Sequence, residues 1–131
     1  MKGARLSRRK FVLAAIGAVV ASAGTFVIVT RRRWVDAGSA SLVPAKTFIP
    51  FGSGDYRVFL RSAPNGGIVA LSERCSHQGC RIVWESVDNE FHCPCHKGIF
   101  DASGNPVSGP PTRPLERFET RVEKGDLEVL M

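Results

Sequence analysis

The placement of four cysteines and two of the three histidines constrains this chain more than any other feature of it. They fall into two short boxes, Cys75-Ser76-His77-Gln78-Gly79-Cys80 and Cys93-Pro94-Cys95-His96. The first contains Cys-x-His and the second Cys-x-x-His, with 15 residues between His77 and Cys93. Each box offers one thiolate and one imidazole, so a fold that brings the boxes together assembles a four-ligand metal site.

Two loops of this kind can grip one iron through sulfur and the other through nitrogen, as a [2Fe-2S] site with two histidines in place of two cysteines requires. Cys75, His77, Cys93 and His96 would be its ligands. Taken purely as a disulfide set, four cysteines allow three connectivities. With two serving as ligands, Cys80 and Cys95 would each follow a ligand in its own loop, and a bridge between them would tie the loops over the cluster. Such a bond persists in an oxidising compartment. A Cys2His2 zinc site or a doubly disulfide-bonded domain remains the alternative. The Cys-x-His spacing is tight for a structural zinc site, and zinc would not need the second cysteine pair. His92 reads as an ordinary surface or packing residue, and Trp84 and Phe100 as core.

Eight of the 18 basic residues lie at or before Arg33, flanking an apolar run, whereas all 12 acidic residues lie from Asp36 onward. The remainder carries 10 basic against 12 acidic residues, so the folded part offers no basic groove for nucleic acid.

Residues 11–30 (FVLAAIGAVVASAGTFVIVT) carry no formal charge. At about 1.5 Å per helical residue, 20 residues span a hydrocarbon core of roughly 30 Å. Before them, Ser7-Arg8-Arg9-Lys10-Phe11-Val12 resembles a twin-arginine export signal, which moves proteins already folded around a cofactor. A plain basic flank that only orients the helix is the simpler reading. Ala21-Ser22-Ala23 matches a cleavage pattern, yet cutting there would leave Phe26-Val27-Ile28-Val29 on the product. A retained single-pass anchor is therefore expected, in a bacterial or archaeal cytoplasmic membrane, with the head on the periplasmic or extracytoplasmic side. The expected organisation is a basic region 1–10, an anchor or signal 11–30, a linker 31–44 rich in small residues, and a head 45–131.

Within the head, short β-branched and aromatic runs recur between turn signals, and they predict strands at 46–49, 56–60, 67–71, 81–84, 90–92, 116–123 and 126–130. No stretch after residue 45 carries a long helical repeat, so the head is expected to be all-β. A domain this small keeps much of its surface exposed and needs cross-links or a metal to be stable.

The two boxes closely resemble the cluster-binding boxes of Rieske proteins. Gly109-Pro110-Pro111-Thr112-Arg113-Pro114-Leu115 is similar to the proline-rich segment that packs beside the cluster in that family, which places Pro110 and Pro111 in the cluster environment. The resemblance implies an antiparallel β-sandwich with a cluster-binding loop subdomain, preceded here by one transmembrane helix. It also implies a [2Fe-2S] cofactor used for single electrons. Four thiolates leave an oxidised cluster anionic, while two thiolates and two neutral imidazoles leave it neutral, so the histidines raise the potential. Their outer nitrogens can couple electron uptake to proton uptake.

High-potential relatives continue the second box with Gly-Ser and then an aromatic residue that is often Tyr. Here the run is Lys97-Gly98-Ile99-Phe100, so the hydroxyls expected at Gly98 and Phe100 are missing and a lower potential is expected. Gln78 stands where a bulky apolar residue often shields the cluster, which weakens the case for tight docking in a quinone pocket.

The resemblance implies an electron-transfer subunit of a membrane complex that oxidises quinol, as bc-type complexes do, passing electrons towards a c-type cytochrome. Its partners would then be a cytochrome b-type subunit and the c-type cytochrome. The alternative is a small subunit serving a periplasmic redox enzyme, resembling the Rieske subunit of arsenite oxidase, with a molybdoenzyme subunit as partner. An oxygenase component would need a second metal site of two histidines and a carboxylate, and His92 is the only histidine left.

Overall fold

The computed structural model describes residues 32–131. The expected export signal and membrane anchor fall outside these residues, and no helix among the described residues is long and apolar enough to cross a membrane. The described residues form eleven strands in three antiparallel sheets. Strands β1 (Trp34–Ser39), β10 (Thr120–Glu123) and β11 (Asp126–Leu130) form one sheet, ordered β1-β11-β10. β2 (Ile49–Ser53), β3 (Tyr56–Ser62), β4 (Ile68–Ser72) and β9 (Arg117–Phe118) form a second, in the order β2-β3-β4-β9. The third is a meander of β5 (Val83–Glu85), β6 (Glu90–Cys93), β7 (Gly98–Asp101) and β8 (Pro106–Ser108).

The second sheet is buried on both faces, which explains the unbroken apolar run in β3. Successive strand residues point to opposite sides. Val58 and Leu60 accordingly enter one core with Leu127 and Val129 of the first sheet. Phe59, between them, enters another with Phe91 and Phe100 of the third. β4 divides in the same way, Ala70 to one side and Leu71 to the other. Thus the expected loop subdomain is a sheet with its own aromatic core. Phe91 lies at its centre, with ring centroids 4.8 Å from Phe48, 5.2 Å from Phe59 and 4.7 Å from Trp84. Trp84 is only half-buried, and its Nε1–H donates to Thr47 Oγ1 at 3.0 Å. Burying each of these rings contributes roughly 1.5–3 kcal/mol.

Two expected strands are placed differently: β2 starts at Ile49, where the strand expected at 46–49 ends, and the run 116–123 divides into β9 and β10 in separate sheets. Three further strands lie outside the sequence expectation. Residues 34–39, read as linker, form β1 because β11 supplies a full hydrogen-bonding edge, with Trp34 opposite Leu130 and Val35 opposite Val129. β7 begins on a glycine and β8 on a proline, and both residues are turn signals when read along the chain. The gap left between the strands expected at 116–123 and 126–130 is a tight turn: Lys124 and Gly125 both have positive φ, 54° and 97°, as a two-residue type I′ hairpin requires.

The turn that closes β7 is organised by Asp101. Its Oδ1 accepts from the N–H of Ser103 at 2.8 Å and of Asn105 at 2.9 Å, and Oδ2 accepts from the Asn105 amide at 3.2 Å. Partial burial works to raise this carboxyl's pKa. Hydrogen bonds from Asn105, Ser103 and Gly104 together outweigh it and hold the pKa below its usual range. A lowered folded-state pKa gives stability that is complete above the unfolded value near ~3.9 and is lost as pH falls through the lower one. Asp101→Ala is therefore expected to cost about 1 kcal/mol at neutral pH, with the difference from the parent shrinking below the ordinary carboxylate range. Urea unfolding at stepped pH measures this, and a pH-independent difference would remove the carboxylate from the explanation.

Candidate metal centre

The two boxes meet because each is closed by local backbone bonds at a sheet end. In the first, the Cys75 N–H donates to the Cys80 carbonyl and the Gly79 N–H to the Cys75 carbonyl, both at 2.8 Å. Gly79 takes φ +73°, which lets the chain turn back within six residues. Below it, Arg74 and Arg81 form an isolated antiparallel bridge. In the second, Cys93 ends β6 opposite Gly98 at the start of β7, so residues 94–97 form the tip of a hairpin. Lys97 holds φ +54° there, a left-handed conformation uncommon for a side chain of its length.

The burial of the four sequence-predicted ligands divides by chemistry. Cys75 and Cys93 are buried and both are free thiols. His77 and His96 are exposed, with ring centroids 5.1 Å apart and the rings edge to face at 83°. Burial pushes the Cys75 thiol pKa up. The His77 N–H opposes this, and the hydrogen-bonded Cys93 thiol pushes it further up. Metal binding must therefore displace a proton from this thiol, since the ligating form is the thiolate.

Cys80 and Cys95 are joined in a disulfide, with Cα atoms 6.5 Å apart. Their sulfurs and the Cys93 thiol all lie within 4.8 Å of one another. Sulfurs bound to each other are not thiolate donors, so the staple runs beside the thiol pair and is no part of the ligand set. Two buried thiols and two exposed imidazoles at one tip therefore remain as donors. This set fits a [2Fe-2S] cluster held half by sulfur and half by nitrogen.

The proline segment packs against the second box. Pro111 is buried, and a Cβ built on Gly98 would stand 2.7 Å from its Cγ. Gly109, at φ +86°, presses on Gly98 and the Lys97 carbonyl. The segment also holds the first box: Ser76 Oγ donates to the Arg113 carbonyl at 2.6 Å, and Arg113 donates to the Ser76 carbonyl at 3.2 Å. This clamp was not apparent in the sequence, where nothing marks Arg113 among the prolines. Pro110 and Gln78 are exposed, and Phe100 is fully buried in the same core as Cys75 and Cys93. His92 is partly exposed at 3.4 Å from Glu90, outside the donor set.

The Rieske [2Fe-2S] domain family matches residues 33–119. This chain belongs to that family. The chain is 31% identical over 136 aligned positions to a cytochrome b6-f complex iron-sulfur subunit of Chlorobaculum thiosulfatiphilum, covering 94% of this chain and 75% of the relative. It is 46% identical over 66 residues to a menaquinol:cytochrome c reductase iron-sulfur subunit of Geobacillus thermodenitrificans, covering 47% of this chain but only 39% of that one. The crystal structure of a plasma membrane Rieske protein from Synechocystis superposes with TM-score 0.62 at 28% identity, covering 74% of this chain and 99% of the other. Rieske domains carry a [2Fe-2S] cluster, and the match extends back to residue 33, so β1 belongs to the Rieske domain.

The two residues expected to lower the potential of this Rieske domain are not equally open to test. Gly98→Ser must push Pro111 aside, so its effect would mix a hydroxyl with a displaced loop. Phe100→Tyr is the cleaner change. A hydrogen bond worth about 1 kcal/mol in favour of the reduced form corresponds to about 40 mV for one electron. Redox titration is expected to show a rise of that order in Phe100→Tyr, and an unchanged or lowered midpoint would overturn the explanation.

Proposed function

We propose that this protein transfers single electrons as the Rieske subunit of a membrane complex that oxidises quinol, passing them towards a c-type cytochrome. The observation that carries this reading is the divided donor set, with the Cys75 and Cys93 thiols buried and the His77 and His96 imidazoles exposed at one tip. Cys75 and Cys93 would hold one iron and His77 and His96 the other. When bound, the cluster supplies a one-electron redox centre whose potential lies above that of an all-cysteine site. His77 and His96 lie where a quinol hydroxyl can reach them, and the imidazole nitrogen not used for ligation takes up its proton. Gly98, Phe100 and Pro111 pack beside Cys93, and Gln78 and Pro110 would complete the cluster environment from the exposed side. The relatives named as subunits of a cytochrome b6-f complex and a menaquinol:cytochrome c reductase support the quinol-oxidising assignment. Residues 11–30 would anchor the subunit in a bacterial or archaeal membrane after twin-arginine export, with the head outside.

The test has two stages. EPR of the dithionite-reduced protein is expected to give a Rieske-type signal, and a silent, zinc-containing sample would sink the assignment. In purified membranes, quinol-site inhibitors should block turnover and the appearance of that signal when quinol is the reductant. Turnover indifferent to them would move the electron donor to another enzyme.

A further inference from the structure

Outside the donor set, the most distinctive feature of the surface is the concentration of arginines around the first box. Arg57, Arg74 and Arg81 line a cleft of about 390 Å³ with Asp55, Glu73 and Gly79. Arg74 and Gly79 also line a second cleft of about 610 Å³, shared with Arg113. Arg74 precedes Cys75 by one residue, Arg81 follows Cys80 by one, and their bridge sets the two side chains on the same side. Four guanidinium groups thus flank a six-residue ligand loop in a domain whose basic and acidic residues are otherwise balanced in number.

The nearby carboxylates do not cancel this charge. Glu73 is buried and takes the Nε–H of Arg57 at 2.8 Å and of Arg81 at 3.0 Å, so one carboxylate is shared between two guanidinium groups that both line the cleft. Asp55 pairs with Arg74, but both side chains are largely exposed, so the pair is weak. Glu116 pairs with Arg32 at 3.2 Å. Arg113 bonds only to a carbonyl, and across the tip Lys97 forms no ion pair among the described residues, with Glu85 sharing its cleft.

We infer that this arginine-lined face is the docking surface for a redox partner with an acidic contact patch, whose carboxylates seat in the clefts beside the Cys75–Cys80 loop. Arginine offers paired N–H donors that match a carboxylate, and positive charge beside the electron-exchanging tip raises encounter rates with an anionic partner. The inference deepens the electron-transfer reading and rests on it.

Small inorganic oxidants test the surface without the natural partner. The full-length, cluster-loaded protein is reduced with dithionite, desalted, and mixed by stopped flow with ferricyanide or with tris(phenanthroline)cobalt(III). In each case one electron passes from the protein to one complex ion, giving ferrocyanide or the cobalt(II) complex. At about 10 mM salt the Debye length is about 30 Å, and at about 1 M it is about 3 Å. Arg74→Glu is expected to slow ferricyanide about 3- to 10-fold at low salt and to speed the cationic oxidant, with both differences closing at high salt. Lys124→Glu, the same charge change on the β10–β11 turn, is expected to have much the smaller effect. Both oxidants moving in the same direction would assign the effect to the cluster potential and would overturn the docking surface. Equal effects of the two variants, or rates independent of Arg74 in protein with a normal EPR signal, would overturn the docking surface alone. A protein with no reducible cluster would overturn it together with the electron-transfer reading. Arg74→Gln is the milder second variant, with the same signs expected.

Discussion

Cys93→Ser is expected to yield a folded head with no Rieske-type EPR signal and with iron reduced to background. Cys93 ends β6 and is buried with Phe91 and Phe100, and serine differs from cysteine by one atom, so the strand pairing to Gly98 should survive. The hydroxyl is not deprotonated at neutral pH and cannot replace a soft thiolate on iron. A buried hydroxyl without a partner costs about 1–3 kcal/mol of stability, which leaves a measurable folded state. His92→Ala is the matched control. His92 is one residue away but half-exposed beside Glu90, and its removal should leave the signal intact. Iron analysis and EPR on both variants decide the matter, and a signal that persists in Cys93→Ser would remove that residue from the ligand set.

Loss of the Cys80–Cys95 bridge has the next largest expected effect. The bridge closes 15 residues of chain, and for a loop of that length the chain-entropy estimate is about 3 kcal/mol. In a domain of this size, that corresponds to a fall of roughly 10–20 °C in the midpoint of thermal unfolding. The Cys80→Ala/Cys95→Ala double variant and the parent protein under strong reductant should fall by similar amounts. The staple also runs beside the Cys93 thiol, so cluster loss to a chelator should be faster in the double variant. Unfolding followed by circular dichroism with and without reductant checks the first expectation, and an unchanged midpoint would show that sheet packing alone holds the tip.

A candidate donor set was legible in the sequence because metal ligation depends on residue type and spacing, both of which can be read along the chain. Cys75, His77, Cys93 and His96 could be picked out, and Cys80 and Cys95 left over, before any contact was known. The hairpins were legible where a turn needs positive φ, as at Lys124-Gly125, and the paired strands around them followed. β1, β7 and β8 were not, because a strand half-covered by neighbours owes its stability to the edge it joins. Trp34–Ser39 is a strand only because β11 lies beside it.

By itself the sequence determined the chemistry: which donors are available, which cysteines remain, and that short strands and tight turns carry them. Tertiary structure decided how the donors are presented. It buried both thiols and left both imidazoles in water, since Cys75 and Cys93 pack at the edge of the aromatic core while the histidines stand on the exposed turns beside them. It clamped the proline segment to both boxes through Ser76, Arg113 and Gly98. It also gathered Arg57, from a strand far along the chain, beside Arg74 and Arg81. Burial and charge clustering are sums over neighbours from distant parts of the chain, and those neighbours are specified only when the sheets pack.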